Sequence, residues 1–281
     1  GVPCTFYCYY FDWSTGALIS DIAMFEITPD EPEKIDVQFN VEYTVEGPLV
    51  KADVTPVSYD GAYYFDMLNG LVVDSYLETF DFLNNDPAEA AEYYWSNAVW
   101  SMSQDMSYSE IVSFYNCQGN YEDGTPRSHY EFELLANHDY YLFAFAMEEH
   151  ALPGSKPQIV KITTGGVEPS DNQITASVSN ITAQSATINF ATTNDDYYIA
   201  GWEKASDWAT FGNNDAERQE YLLTNRSFEL IKGDYSQNII GLEAETDYVL
   251  YAFGSRGGVA TTDYIATATF KTRKVSGGLA S

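Results

Sequence analysis

Apolar and polar residues alternate through most of this chain, and the alternation recurs in blocks. From Gly241 to Gly254 the chain reads Gly-Leu-Glu-Ala-Glu-Thr-Asp-Tyr-Val-Leu-Tyr-Ala-Phe-Gly. Tyr248, Leu250 and Ala252 fall on one side, and Val249, Tyr251 and Phe253 on the other. A period of two predicts a strand. Leu134 to Ala146 repeats the block, with the same spacing from Leu134 to Tyr140 as from Leu242 to Tyr248. A third copy, Cys4-Thr-Phe-Tyr-Cys-Tyr-Tyr-Phe11, opens the chain. Each copy leads through a turn into a closing strand. Tyr248 to Phe270 spans 22 residues, Tyr140 to Ile162 also 22, and Phe6 to Ile27 21. Near-equal spacings predict a repeated unit.

The repeat divides the chain into three segments. Residues 1–28 read as a terminal strand hairpin of a preceding repeat, turning at Asp12–Gly16. Residues 33–165 and 170–273 read as two complete β-sandwiches, separated from the hairpin and from each other by Pro29–Glu33 and Gly165–Asp171. These linkers are polar and punctuated by proline or glycine. Repeat two opens with Ile35, Val37, Phe39 and Val41 in alternation, all expected to face inward. Repeat three opens at Ile174, followed by the alternating run Ala186–Ala191.

Between the third strand and the repeated block the period changes. Asn84-Asn-Asp-Pro-Ala-Glu89 and Asn213-Asn-Asp-Ala-Glu217 align once Pro87 is treated as an insertion. Asp86 as N-cap, Pro87 at N1 and Glu89 at N3 predict a helix start with a closed capping box. Ala91, Tyr94 or Trp95, Ala98, Val99 and Met102 then trace one face of about four turns. Ser107 and Glu110 predict a second, shorter helix. Tyr140 and Tyr248 are 108 residues apart, whereas Phe6 and Tyr140 are 134 apart. The difference of 26 belongs to a helical insert at about 71–120 of repeat two; the insert of repeat three is short, ending near Asn225.

The Leu-to-Tyr spacing resembles the corner before strand F of fibronectin type III domains, and Ile181-Thr-Ala-Gln-Ser-Ala-Thr-Ile-Asn-Phe190 resembles their entry into strand B. The resemblance implies a mainly β fold of tandem immunoglobulin-like or fibronectin type III-like sandwiches with short helical insertions between the sheets. It further implies that the corner tyrosine returns its hydroxyl to nearby backbone. The buried Trp usual in strand B is absent. The pattern of repeats with an acidic helical insert is also similar to multi-domain cell-surface proteins of Bacteroidetes. That resemblance implies an exported protein, often carrying an upstream lipid anchor, engaged in glycan capture or adhesion.

Composition narrows the chemistry. The formal charge is −29, from 42 acidic and 13 basic residues, a field that repels nucleic acid and anionic membranes. No apolar run of membrane-spanning length occurs, so no membrane insertion is expected within the chain. Cys4, Cys8 and Cys117 form neither a disulfide framework nor a zinc set. The histidines, His129, His138 and His150, lie in no HExxH string, and GxSxG, GxGxxG and P-loop strings are missing as well. His138, at the corner, is expected to bond backbone. No catalytic, metal-ligating or cofactor-binding residues are therefore expected. Weakly bound calcium is the single ion the acidic turns Asn84–Asp86 and Thr193–Asp196 suggest.

The 23 tyrosines, 16 phenylalanines and 5 tryptophans carry the binding argument. Trp95 and Trp100 lie five apart on the long helix and point in different directions. They are the candidate ligand-contact aromatics, since rings on sandwich loops stack on sugars or anchor proteins. The expectation is a non-enzymatic extracellular binding or adhesion module, on the outer surface of a bacterium, whose ligand is a glycan or a protein. The alternative is an accessory or catalytic region of a carbohydrate-active enzyme, which would need two carboxylates across a cleft.

Overall fold

The computed structural model describes residues 4–28 and 33–275. The predicted linker at Pro29–Glu33 lies outside the described residues except for Glu33. Strand β1 (Cys4–Cys8) pairs antiparallel with β4 (Ala23–Ile27), and the two-residue strands β2 (Phe11–Asp12) and β3 (Ala17–Leu18) close the turn between them. All residues of β1 and β4 are exposed. Phe6 stands across from Phe25, stacked at 5.3 Å, and not across from Ile27. The 21-residue spacing is therefore not a cross-strand pair. In the complete repeats the spacing of 22 is one: Tyr140 faces Ile162 and Tyr248 faces Phe270.

Repeat two runs β5 (Gln38–Glu46), β6 (Leu49–Val57), β7 (Tyr63–Asn69), α1 (Gly70–Thr79), α2 (Pro87–Met102), α3 (Tyr108–Tyr115), β8 (His129–Glu133), β9 (Asp139–Ala146) and β10 (Gln158–Thr163). Two three-stranded sheets result, in the orders β5-β6-β8 and β10-β9-β7. Repeat three runs β11 (Thr175–Ser179), β12 (Ser185–Ala191), β13 (Tyr198–Lys204), α4 (Ala205–Trp208), α5 (Asp215–Asn225), β14 (Tyr235–Ile240), β15 (Asp247–Arg256), β16 (Val259–Ala260) and β17 (Ala266–Lys271). Its sheets are β11-β12-β14 and β13-β15-β17, with β16 pairing the end of β15. The chain is mainly β, a tandem of fibronectin type III-like sandwiches.

The corner is built identically in both. Tyr140 Oη accepts from Leu135 N at 2.9 Å, and Tyr248 Oη accepts from Glu243 N at 3.0 Å. A buried threonine completes each: Thr164 Oγ1 donates to Leu135 O and Thr272 Oγ1 to Glu243 O, at 2.6 and 2.5 Å. Both backbone polar groups of one loop residue are thus met by two side chains, satisfying backbone that no strand can pair. His138 Nδ1 meets Ala136 O at 2.7 Å, as its place at the corner requires.

The helices explain why β9 and β15 are apolar on both sides. Leu142, Ala144 and Ala146 pack between the sheets against Val50, Ala52 and Val54. Phe143 and Phe145 point the other way, onto Trp95, Val99 and Ile111 of the helices. Each buried Phe contributes about 2 kcal/mol of transfer free energy. The inserts connect the two sheets along the chain, but in space they form a third layer on the outer face of the β10-β9-β7 sheet. Repeat three does the same with Trp208 and Leu222 against Tyr251 and Phe253.

Several local expectations change. Asp86 caps α2 through Ala88 N, but Glu89 Oε2 accepts from Asn84 Nδ2, so that capping box does not close. The Ser107–Glu110 box does close. In repeat three Asn214 caps the helix, one position earlier than Asp86 by alignment, because only Pro87 forces the start of α2 to N1. Helix α1 is capped by Asn69, whose side chain accepts from Leu71 N, and the short α4 has no side-chain cap. Ile35 is exposed; its N–H donates to Gly154 O and it bridges Ser155 beside the sandwich. The repeats meet where Arg256 pairs Glu133 through two nitrogens (2.7 and 3.4 Å) and Ala136 N donates to Gly257 O.

Candidate functional site

Strands β7 and β8 are the edges of their sheets, and both border one side of repeat two. An exposed edge must be covered or blunted. Here the chain leaving α3 does it: Cys117 N donates to Tyr63 O at 2.8 Å, and Asn116 Oδ1 accepts from Tyr63 N at 3.2 Å. Repeat three uses the same device, since Ile231 exchanges both backbone bonds with Tyr198. The register makes Tyr63 and Tyr198 equivalent, each six positions before the residue paired with the corner tyrosine.

Beyond this shared patch the repeats diverge. Ile231 is 4 residues from β14, whereas Cys117 is 12 from β8. The additional residues form a small hairpin, held by Arg127 N to Gly119 O (2.9 Å) and Tyr121 N to Thr125 O (2.8 Å). Arg127 also finishes α3: its guanidinium donates to Ser113 O and Phe114 O, at the negative end of the helix, and lies 5.1 Å from the Tyr121 ring centre.

A cavity of about 280 Å³ lies between these parts. Strand β7 supplies Tyr64, Phe65 and Asp66; α3 and the residues after it supply Phe114, Tyr115, Asn116 and Cys117. The hairpin adds Tyr121 and Arg127, and β8 adds Tyr130 and Phe132. Seven of these 11 residues are aromatic, which sets the character of the space. Tyr64 packs on Trp95 at 4.2 Å and edge-on to Tyr115 at 5.5 Å, so that wall is fixed from behind. Tyr121 and Tyr130 are half exposed and form the open side.

Asp66 is the single carboxylate lining the cavity. Its Oδ2 accepts from Tyr64 Oη at 2.9 Å and its Oδ1 from Met67 N at 2.7 Å. Burial raises its pKa above the ordinary carboxylate range, and those two hydrogen bonds oppose the rise. Burial and the Asp66 charge together push the Tyr64 phenol up, and the Tyr94 phenol likewise. Burial also pushes the Cys117 thiol up to about 11, so it is a packed thiol and not a nucleophile. Among the described residues Asp66 makes no ion pair. In repeat three its position is Gly201, where an added Cβ would fall 2.5 Å from Tyr251 Oη. A tyrosine there occupies the space that Asp66 takes in repeat two.

The two candidate tryptophans part company. Trp95 is 2% exposed, and its Nε1 donates to Ala151 O at 2.6 Å; it binds the helix to the sheet. Trp100 is 70% exposed. Of the other candidates, His129 Nδ1 meets Asp53 Oδ1 at 2.9 Å and His150 Nδ1 meets Glu148 Oε2 at 3.3 Å. Asp86 is engaged by Ala88 N and Lys156 Nζ, and Asp196 by Ser170 Oγ. No three His, Cys, Asp or Glu side chains converge as a metal set among the described residues. No helix among them is long and apolar enough to cross a membrane.

Asp66, Tyr64, Tyr121 and Arg127 were not among the sequence candidates. A partial signal existed, since Asp66 is the lone acid in Tyr63-Tyr-Phe-Asp-Met-Leu68, but its match to Gly201 comes from the strand register and not from the sequence.

No protein-family model and no curated protein sequence matches the chain. Solved structures similar to it include a segment of two fibronectin type III domains from chicken tenascin, at 14% identity and a TM-score of 0.24. That likeness covers 84% of this chain and 100% of the other. The FN1–FN3 domains of chicken CNTN1 are 11% identical with a TM-score of 0.27, covering 96% of this chain and 78% of theirs. The sensor domain of the anti-sigma factor RsgI4 of Pseudobacteroides cellulosolvens is 19% identical with a TM-score of 0.26. It covers 38% of this chain and 98% of its own. These likenesses carry no argument about function; the fold assignment stands on the sheets described above.

Proposed function

We propose that the chain is a non-enzymatic extracellular binding module, of the tandem-sandwich kind found on Bacteroidetes cell surfaces, in which repeat two binds and repeat three spaces. The two sandwiches are residues 33–165 and 170–273, and residues 1–28 form a strand hairpin before them. The observation that carries the reading is the asymmetry at the β7 edge. Repeat two adds a hairpin that walls an aromatic cavity around Asp66; repeat three has neither the hairpin nor the acid. An insertion of this length adds little chain entropy on a rigid scaffold and could persist without a role. A half-buried acid with no cationic partner, however, lowers stability, and such a group is retained where it serves a site. One carboxylate in the cavity does not supply the pair that glycoside hydrolysis needs.

Ligands of this class are glycans or proteins, and Trp100 is a second exposed contact on the same helical layer. The intact chain is screened on glycan and peptide arrays, and the strongest ligand titrated against wild type, Tyr121→Ala and Trp100→Ala. Loss of a contact ring weakens binding by about 1 kcal/mol or more, roughly fivefold. If both variants bind as wild type, the surface lies elsewhere.

A further inference from the structure

The ligand class of this cavity is set by the surroundings of Asp66. This inference rests on the binding role proposed for repeat two. A carboxylate removed from water needs compensation by hydrogen bonds or by opposite charge. Asp66 has two hydrogen bonds, from Tyr64 Oη and Met67 N. Two oxygens can accept about four. No cation on the protein completes the set among the described residues. Arg127 lines the same cavity, yet its guanidinium is engaged by two carbonyls of α3 and by the Tyr121 ring. The remaining walls are mostly aromatic, and their faces attract positive charge.

We infer that the cavity takes an ammonium group, the side-chain nitrogen of a lysine on a cationic protein partner, which pairs with Asp66 and sits against the aromatic walls. The ammonium brings three donors to the free lone pairs of the carboxylate. Its aliphatic stem suits the apolar remainder of the space. The volume of about 280 Å³ is enough for a lysine side chain and too small for a folded segment. The net charge of −29 draws such a partner in from solution, at a rate that falls as salt is added. A neutral sugar would gain stacking and hydrogen bonds but would leave the carboxylate charge uncompensated.

The test uses n-butylammonium as the lysine side-chain probe and 1-butanol as its neutral counterpart, titrated into the intact chain by tyrosine and tryptophan fluorescence and by NMR. The expected result is saturable binding of the amine, at least about tenfold weaker binding of the alcohol, and at least about tenfold loss of amine affinity in Asp66→Asn. The comparison of the two probes on wild type needs no variant, so a folding defect in Asp66→Asn leaves it decisive. Alcohol binding equal to amine binding, or amine binding undiminished in a folded Asp66→Asn, overturns the inference. If neither probe binds while the array ligand still responds to Tyr121→Ala, the ammonium assignment falls and the binding role stands. If the array ligand is indifferent to Trp100→Ala as well as to Tyr121→Ala, both fall.

Discussion

Replacing Tyr248 by Phe removes one oxygen and little else, which makes it the sharpest test of how the sandwiches are closed. The ring stays: it is 5% exposed and stacks on Phe270 at 5.4 Å. The loss is the acceptor for Glu243 N, at 3.0 Å. Thr272 Oγ1 keeps its bond to Glu243 O, so the loop is not released. An unsatisfied buried donor costs about 1–3 kcal/mol, and a donor that water can reach costs less. Glu243 lies at the corner with its side chain in solvent, which places the expected loss near the lower end, about 1–1.5 kcal/mol. Urea unfolding of the intact protein measures it. With a slope of about 2 kcal/mol/M for a sandwich of this size, the midpoint for repeat three falls by about 0.5–0.8 M at constant slope. Tyr140→Phe should do the same to repeat two, because Leu135 N and Thr164 reproduce the arrangement. A change below about 0.3 kcal/mol in both variants would mean that water replaces the phenol oxygen and that the corner is held by the threonines alone.

Other contacts make equally specific demands. Gly201→Ala places a methyl 2.5 Å from Tyr251 Oη, and Tyr251 is pinned by a 5.1 Å stack on Trp208, so calorimetry should show a loss of about 1–3 kcal/mol. Gly257→Ala combines a backbone φ of +58° with a Cβ 2.9 Å from the Pro48 ring; it should loosen the junction of the repeats, read as a larger radius of gyration by solution scattering. Asp66→Asn should change stability with pH. Burial raises the folded-state pKa of Asp66, so the folded chain holds this proton more tightly than the unfolded chain. Its contribution is favourable below the ordinary carboxylate range and becomes a cost as pH rises through the raised folded value. The Asn variant should therefore gain on wild type as pH rises from about 4 through the raised folded value, and the two should converge in acid; a gap that widens in acid would contradict this.

The strands, the corner and α2 were legible because each rests on a local rule. Tyr140 and Tyr248 open runs of period two, and Asp86-Pro87 is a cap that the helix obeys. The 22-residue spacing even marks the true cross-strand pair, since both ends lie on adjacent strands of one sheet. The same arithmetic misleads at Phe6, where the turn sets a different register and Phe25 takes the place of Ile27. Glu89 fails to close its box because the Asp86 N–H is already donated to Leu83 O at 2.9 Å, and its Oε2 accepts from Asn84 Nδ2 instead. The fate of the tryptophans was not legible: Trp95 and Trp100 have equal apolarity, and only the position of the sheet decides which is buried. The cavity was hidden for a related reason. Its walls come from β7, α3, β8 and a hairpin, and no local pattern reports that these four converge.

The sharpest measurement of repeat two as a binding unit is Asp66→Asn studied twice on one preparation, by chemical denaturation at neutral pH and by titration with the ligand found on the arrays. A group kept for binding weakens the fold and strengthens the complex. If repeat two binds through this cavity, stability equals or exceeds that of wild type, with the amide oxygen accepting from Met67 N and the amide nitrogen donating to Tyr64 Oη, and affinity falls by about tenfold. Stability lowered by more than about 1 kcal/mol with affinity unchanged would make Asp66 a structural residue and would refute the binding role of the cavity.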